Sequence, residues 1–249
     1  MDDQESIDNY YLAYLNTRPD PRFERFVRNW HDRLISLTKI ESFALSNGPL
    51  RVLEVGYGHG YFADLVVKRG WSYVAADISD PIIDYGTDRG HQVVRPENLD
   101  RGATFDVVWM SHVLEHSTSW EQAREMCEFY SRSLRPGGCL ISVGPDYLSW
   151  KDQFWAVDFS HGYPTTRRNC VQLFNDLGLE DIKATYHRSG RSDLFSRSLA
   201  AAVCSMPHQP VDWLVDRERF QRGEGLFYSW KAMYGWRQLL ISGSAKNRE

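Results

Sequence analysis

The sequence predicts an α/β protein built on a doubly wound, mostly parallel sheet of seven strands. Three observations carry that prediction. From residue 50 onward, short β-branched and aliphatic runs alternate with helical segments, the pattern of a parallel sheet with crossover helices. The first run ends in a glycine-rich loop that opens a helix, a device that presents backbone N–H groups to a ligand at the strand's carboxyl end. The 249 residues, 42% hydrophobic and 25% charged, suffice for one such domain with elaborations and bury a core without disulfides or structural metal.

Taken in order, the elements follow from local chemistry. Asp20-Pro21 pairs a capping carboxylate with proline at the first helical position, and Phe23, Phe26, Val27, Trp30, Leu34 and Leu37 recur at helical spacing. Asn47-Gly48-Pro49 is a loop signal. Leu50–Val55 is the first strand and Tyr61–Lys68 the helix after it. Trp71–Ala76, His91–Val94 and Phe105–Met110 are the second to fourth strands. Thr118 with Glu121, and Ser119 with Gln122, both fit a capping box for a helix running to about Leu134. Pro136-Gly137-Gly138 stops that helix before the fifth strand, Cys139–Val143. Thr165 or Thr166 caps a helix through Val171, Phe174 and Leu177 that Gly178 closes, and Leu179–Tyr186 and Leu239–Ser242 are the last two strands.

The expected organisation is an N-terminal helical cap over residues 1–48, a ligand-binding core over 49–189, and an insertion with the last strand over 190–249 of the same domain. The insertion carries Trp213, Phe220, Phe227, Tyr228, Trp230, Tyr234 and Trp236. Such aromatics suit a lid over a ring-shaped or sugar-like acceptor, and equally a helical subdomain or a homodimer contact.

Composition narrows the partners. A net charge of −4 argues against duplex binding, which needs a basic face. Arginine outnumbers lysine 23 to 6, which base composition explains more simply than anion binding. No apolar run approaches the roughly 20 residues of a spanning helix; the longest, Leu199 to Met206, is short and flanked by Arg197 and His208. The acidic start, MDDQESIDNYY, is unlike a signal peptide, and Cys127, Cys139, Cys170 and Cys204 show no CxxC spacing. A cytoplasmic protein acting on a small molecule, with no nucleic-acid or membrane partner, is expected.

The glycine loop is the most informative segment: Leu53-Glu54-Val55-Gly56-Tyr57-Gly58-His59-Gly60. A dinucleotide site of the G-x-G-x-x-G type would place its third glycine at position 61, which is Tyr61. The E-x-G-x-G-x-G found here resembles motif I of class I methyltransferases dependent on S-adenosylmethionine, which are Rossmann-like. Further segments are similar to that family. Phe105-Asp106-Val107-Val108 with Leu114-Glu115-His116, then Leu134-Arg135-Pro136-Gly137-Gly138, follow in its order; His161-Gly162-Tyr163-Pro164-Thr165 matches with Pro and Thr transposed.

The resemblance implies a methyltransferase with S-adenosylmethionine as cofactor. It assigns cofactor contacts to Glu54, Gly56, Tyr57, Gly58, Gly60, Asp77, Ile78 and Ser111. Glu54 would meet the amino-acid end of the cofactor, and Asp77, about 20 residues on, both ribose hydroxyls. Where the family usually has Asp-Ala near the adenine, this chain has Arg95-Pro96-Glu97-Asn98-Leu99, which points to Glu97 or Asn98.

Transfer to a hydroxyl needs a base, and histidine is the natural one at neutral pH. His161 is the first choice, His116 the second, and Asp158 would orient one of them. His112-Val113-Leu114-Glu115-His116 also matches the H-x-x-E-H of zinc peptidases, a reading that its place after a parallel strand argues against. A divalent cation held by His112, Glu115, His116 and His161 is a second alternative, and the metal-free reading is preferred. O-methylation of a small-molecule or sugar-like acceptor is the expected activity. Alternatives are an N-methyltransferase and a catalytically silent module that binds the cofactor.

Overall fold

The computed structural model describes residues 3–16, 21–100, 102–188, 208–215 and 236–246. Three helices come first, α1 (Asp3–Asn16), α2 (Pro21–Thr38) and α3 (Ile40–Asn47). The sheet then forms from β1 (Arg51–Val55), β2 (Ser72–Ala76), β3 (Val93–Val94), β4 (Phe105–Ser111), β5 (Leu134–Pro145), β6 (Glu180–His187) and β7 (Gln238–Ser244). Between them lie α4 (Tyr61–Lys68), α5 (Asp80–Asp88), α6 (Trp120–Ser131), α7 (Tyr147–Trp150), α8 (Gln153–Val157), α9 (Arg167–Asp176) and α10 (His208–Val215).

The seven strands run in the order β3-β2-β1-β4-β5-β7-β6. β1 to β5 pair in parallel, while β7 is antiparallel to both β5 and β6. The doubly wound, mostly parallel sheet is therefore as expected. Strand alternation sorts its side chains onto two faces. Val52, Val107, Trp109, Ile141 and Leu240 pack with Trp30, Leu34 and Ile35 of α2 and with Phe62 and Val66 of α4. Leu53, Val55, Val108, Met110 and Leu140 pack with Ala123 and Cys127 of α6 and Phe174 of α9. β1 and β4 are neighbours whose crossovers leave in opposite directions, so a crevice opens at their carboxyl ends.

Two local expectations change. In α2 the buried stripe is Trp30, Leu34 and Ile35, while Phe23 in the first turn and Leu37 in the last are exposed. The helix α6 ends at Ser131, and Leu134-Arg135-Pro136-Gly137-Gly138 belongs to β5 instead of stopping that helix. The strand irregularity there needs Gly138, whose added Cβ would lie 2.9 Å from Arg135 O and 3.0 Å from Phe105 O. The H-x-x-E-H segment is not an α-helix: His112 has φ +56° and Leu114–His116 is one turn of 3-10 helix. The shared helical face of a zinc peptidase is therefore absent from it.

Of the aromatic insertion, Trp213 on α10 is exposed, and Trp236 packs on Trp150 with ring centroids 4.8 Å apart. Phe220, Phe227, Tyr228, Trp230 and Tyr234 lie outside the described residues. Among those described, no helix is long and apolar enough to cross a membrane.

Candidate active site

A cavity of about 600 Å³ occupies the crevice at the carboxyl ends of β1, β2 and β4. Its floor is the glycine loop. Gly56, Gly58 and Gly60 take φ of +78°, +55° and +73°, a conformation that favours glycine. Gly56 N–H donates to Ala76 O at 2.9 Å, and Tyr57 N–H to Asp77 Oδ2 at 2.9 Å. A Cβ on Gly60 would collide with the Tyr57 hydroxyl, which instead bonds His91 Nδ1 at 2.7 Å behind the loop. Gly56 and Gly58 thus line the cavity, whereas Tyr57 and Gly60 shape the loop from outside it.

The other sequence-selected residues divide in the same way. Asp77, Ile78 and Ser111 line the cavity. Burial raises the Asp77 pKa, with backbone donors Ser79 and Tyr57 opposing that rise. Glu54 does not reach the cavity. Strand alternation turns it to the opposite face from Leu53 and Val55, where Tyr73 donates a hydrogen bond to its carboxyl. Burial holds the Glu54 pKa well above the ordinary carboxylate range. Glu97 and Asn98 sit on an exposed turn, Pro96–Asn98, and do not line it either; Gln122, Met126 and Tyr130 from α6 do.

The opposite wall comes from α1, which contributes Tyr10, Tyr11 and Tyr14. Gln4 Nε2 donates to Ile78 O at 3.0 Å, and Asp80 N–H donates to Asp8 Oδ1 at 3.1 Å, so the helix is tied to the rim beside Asp77. The sequence does carry a signal for this wall, tyrosines at positions 10, 11 and 14 on one helical stretch, although nothing local says what they cover.

The cavity is also lined by His112, Glu115, His116, Asp158 and His161. Glu115 is fully buried, with Gly144 of β5 leaving room for its Oε2; an added Cβ there would sit 3.0 Å away. Burial raises its pKa, but the hydrogen bond with His112 Nδ1 at 3.0 Å and the electrostatic influence of the neighbouring imidazoles more than offset this, so the pKa falls. The His116 and His161 rings meet edge to face at 5.0 Å. His161 Nδ1 donates to Phe154 O at 2.6 Å, and His116 Nδ1 bonds Ser160 Oγ at 2.8 Å. The Asp158 carboxylate accepts from Ser160 Oγ at 2.5 Å and from Tyr10 at 2.9 Å, so it is linked to the His116 ring, whereas His161 meets Asp158 through the backbone, its N–H donating to Asp158 O at 3.3 Å. Burial lowers the His116 pKa, leaving a neutral imidazole at pH 7. Glu115, His116 and His161 also offer atoms within 4.8 Å of one another, close enough to surround a small cation.

Residues 23–184 match the family model described as a methyltransferase domain. The chain belongs to this methyltransferase-domain family. It is 28% identical over 154 residues to a probable S-adenosylmethionine-dependent methyltransferase of Mycolicibacterium smegmatis, 59% of either chain. It is 34% identical over 101 residues to a ubiquinone biosynthesis O-methyltransferase of Rhizobium etli, 37% of this chain and 40% of that one. The aligned stretches thus span less than two thirds of these relatives. Among solved structures, a SAM-dependent methyltransferase from Archaeoglobus fulgidus superposes with a TM-score of 0.62 at 18% identity, covering 95% of this chain and 100% of that one.

The cofactor of this methyltransferase domain is S-adenosylmethionine, and the cavity fits it. The two cavity glycines leave the loop without side chains where a ligand backbone must approach, and Cβ on Gly58 would meet Tyr14 Oη at 3.7 Å across that space. Asp77 lies at the end of β2, where a carboxylate can accept from paired hydroxyls.

Proposed function

We propose that the protein transfers a methyl group from S-adenosylmethionine to an oxygen of a neutral small-molecule or sugar-like acceptor, with His116 taking the proton. The observation that carries this reading is the His116 hydrogen bond through Ser160 to Asp158, with His116 and Asp158 both lining the cavity. S-adenosylmethionine, when bound, supplies a methyl group activated on a positively charged sulfur. Gly56, Gly58, Asp77, Ile78 and Ser111 would hold it, with Met126 and Tyr130 walling the end near Asp77.

What the chain adds is position, dryness and a base. Tyr10, Tyr11 and Tyr14 cover the crevice and limit water. Because Nδ1 of His116 is engaged, Nε2 is its basic atom, and a neutral imidazole there can accept a hydroxyl proton near neutral pH. His161, the first choice from sequence, has its Nδ1 bonded to the Phe154 backbone carbonyl and lacks the hydroxyl–carboxylate pair that backs His116. Among the described residues lining the cavity there is no Lys or Arg, while Asp77, Glu115 and Asp158 are acidic. That lining suits a neutral acceptor and disfavours a carboxylate or phosphate. Similarity to ubiquinone biosynthesis O-methyltransferases supports oxygen as the methylated atom.

The test is transfer of labelled methyl from S-adenosylmethionine to catechol, glucose and benzylamine by the full chain. Label in catechol or glucose is expected. Label in benzylamine alone overturns the oxygen assignment. Intact S-adenosylhomocysteine binding with no label in any acceptor, cell extracts included, favours a silent binding module.

A further inference from the structure

We propose that Ser160 is a positioning residue for His116, fixing the proton on Nδ1 so that Nε2 faces the reaction as the lone-pair atom. The proposal rests on the reading of His116 as the base. Ser160 carries one hydroxyl proton, and that proton is committed: Asp158 Oδ1 lies 2.5 Å from Oγ and also accepts the Ser160 N–H at 2.9 Å. An ionised carboxylate can only accept. Ser160 Oγ therefore offers His116 lone pairs alone, and the 2.8 Å contact requires a proton on Nδ1.

The chain of bonds has a second anchor. Asp158 Oδ2 accepts from Tyr10 on α1 at 2.9 Å, so both carboxylate oxygens are held from different directions. Burial of Asp158 raises its pKa, but the bonds from Ser160 and Tyr10 outweigh burial and keep it ionised. The loop's own seat is independent of Ser160. Gly162 and Tyr163 N–H donate to Glu115 O at 2.8 and 3.1 Å, and a Cβ on Gly162 would lie 2.9 Å from Thr118 Cα. Removing the Ser160 hydroxyl thus leaves the loop anchored.

No proton travels along the chain. The hydroxyl proton of the acceptor ends on His116 Nε2 and leaves from there to solvent. The Nδ1 proton stays on Nδ1, the Ser160 proton stays toward Asp158, and the imidazolium charge faces the Asp158 carboxylate through one hydroxyl.

The experiment reads the His116 tautomer directly, in the full chain labelled with ¹⁵N at histidine and saturated with S-adenosylhomocysteine. Long-range ¹H–¹⁵N spectra should show Nδ1–H in the wild type and in Ser160→Thr, which keeps a hydroxyl. Ser160→Ala should lose that preference. Asp158→Ala should reverse it to Nε2–H, because the freed Ser160 hydroxyl then donates to Nδ1. On whichever acceptor is labelled, Ser160→Ala should lower turnover about tenfold, the scale of one hydrogen bond to a charged group, and Ser160→Thr should recover it. Ser160→Ala or Asp158→Ala retaining Nδ1–H would overturn the proposal. Those signatures together with full turnover by His116→Ala would overturn the base reading and leave the positioning by Ser160 standing.

Discussion

Asp77 Oδ2 accepts the backbone N–H of Tyr57 at 2.9 Å, tying the end of β2 to the glycine loop that follows β1. Asp77 Oδ1 accepts Ser79 N–H at 3.1 Å, so one carboxylate holds the loop, starts the turn into α5 and faces the cavity. Asp77→Ala should therefore do two things. Affinity for S-adenosylhomocysteine should fall by about 2–3 kcal/mol, and the unliganded protein should lose about 1–3 kcal/mol, since two buried donors are stranded. Calorimetry and denaturant unfolding separate the two effects. Lost stability with unchanged affinity would reduce Asp77 to a turn residue.

Gly58→Val tests the loop as a ligand cradle. A β-branched residue at φ +55° is strained, and its side chain would fill the space between the loop and Tyr14. The variant should give no S-adenosylhomocysteine heat by calorimetry while remaining folded by circular dichroism. NAD should bind neither protein, because the third glycine falls at Gly60 and not at position 61.

Glu54 makes a prediction about pH. Its folded pKa lies well above the value near 4.5 that it has when unfolded, so the folded state holds the proton more tightly. That contribution is fully present below pH 4.5 and is lost as pH rises through the folded pKa. Within that window one proton gives a slope of at most about 1.4 kcal/mol per pH unit. Glu54→Gln cannot titrate and should flatten this part of the stability profile, with no loss of S-adenosylhomocysteine affinity. A profile identical to the wild type would show that burial does not control this carboxyl.

The strand–glycine–helix passage through Leu53 to Gly60 is readable because its chemistry is local, and the same holds for the Ser119 and Thr166 caps, which accept Gln122 N–H and Asn169 N–H at 3.2 and 3.1 Å. What sequence does not reveal depends on pairing across the chain. Glu54 is turned away from the cavity by strand parity. Its partner Tyr73 is found only once β1 and β2 pair in register, Leu53 with Val74 and Glu54 with Ala75. The antiparallel β7 depends on hydrogen bonds to β5 and β6, made from residues far away in sequence. Ser160 looks like an ordinary loop serine beside Asp158 until the fold brings His116, 44 residues away, to its hydroxyl. Tyr10 lies 148 residues from the carboxylate it holds.

His112 distinguishes a metal-free site from a metal centre. Its Nδ1 is the partner of the buried Glu115 Oε1, while Oε2 has no hydrogen-bond partner among the described residues. In the metal-free account His112→Ala costs about 1–3 kcal/mol of stability, the scale of a stranded buried acceptor, and turnover stays resistant to chelator. Loss of wild-type activity on chelation, with recovery on adding Mg²⁺ or Mn²⁺, would place a cation among Glu115, His116 and His161 instead.

Oxygen methylation in this site turns on His116 as the base, and turnover of His116→Ala at saturating S-adenosylmethionine measures that directly. The predicted result is a fall of about 10²–10⁴-fold, with S-adenosylhomocysteine affinity near the wild-type value and His161→Ala affected much less. A His116→Ala enzyme turning over at the wild-type rate, or a larger loss in His161→Ala than in His116→Ala, would contradict it.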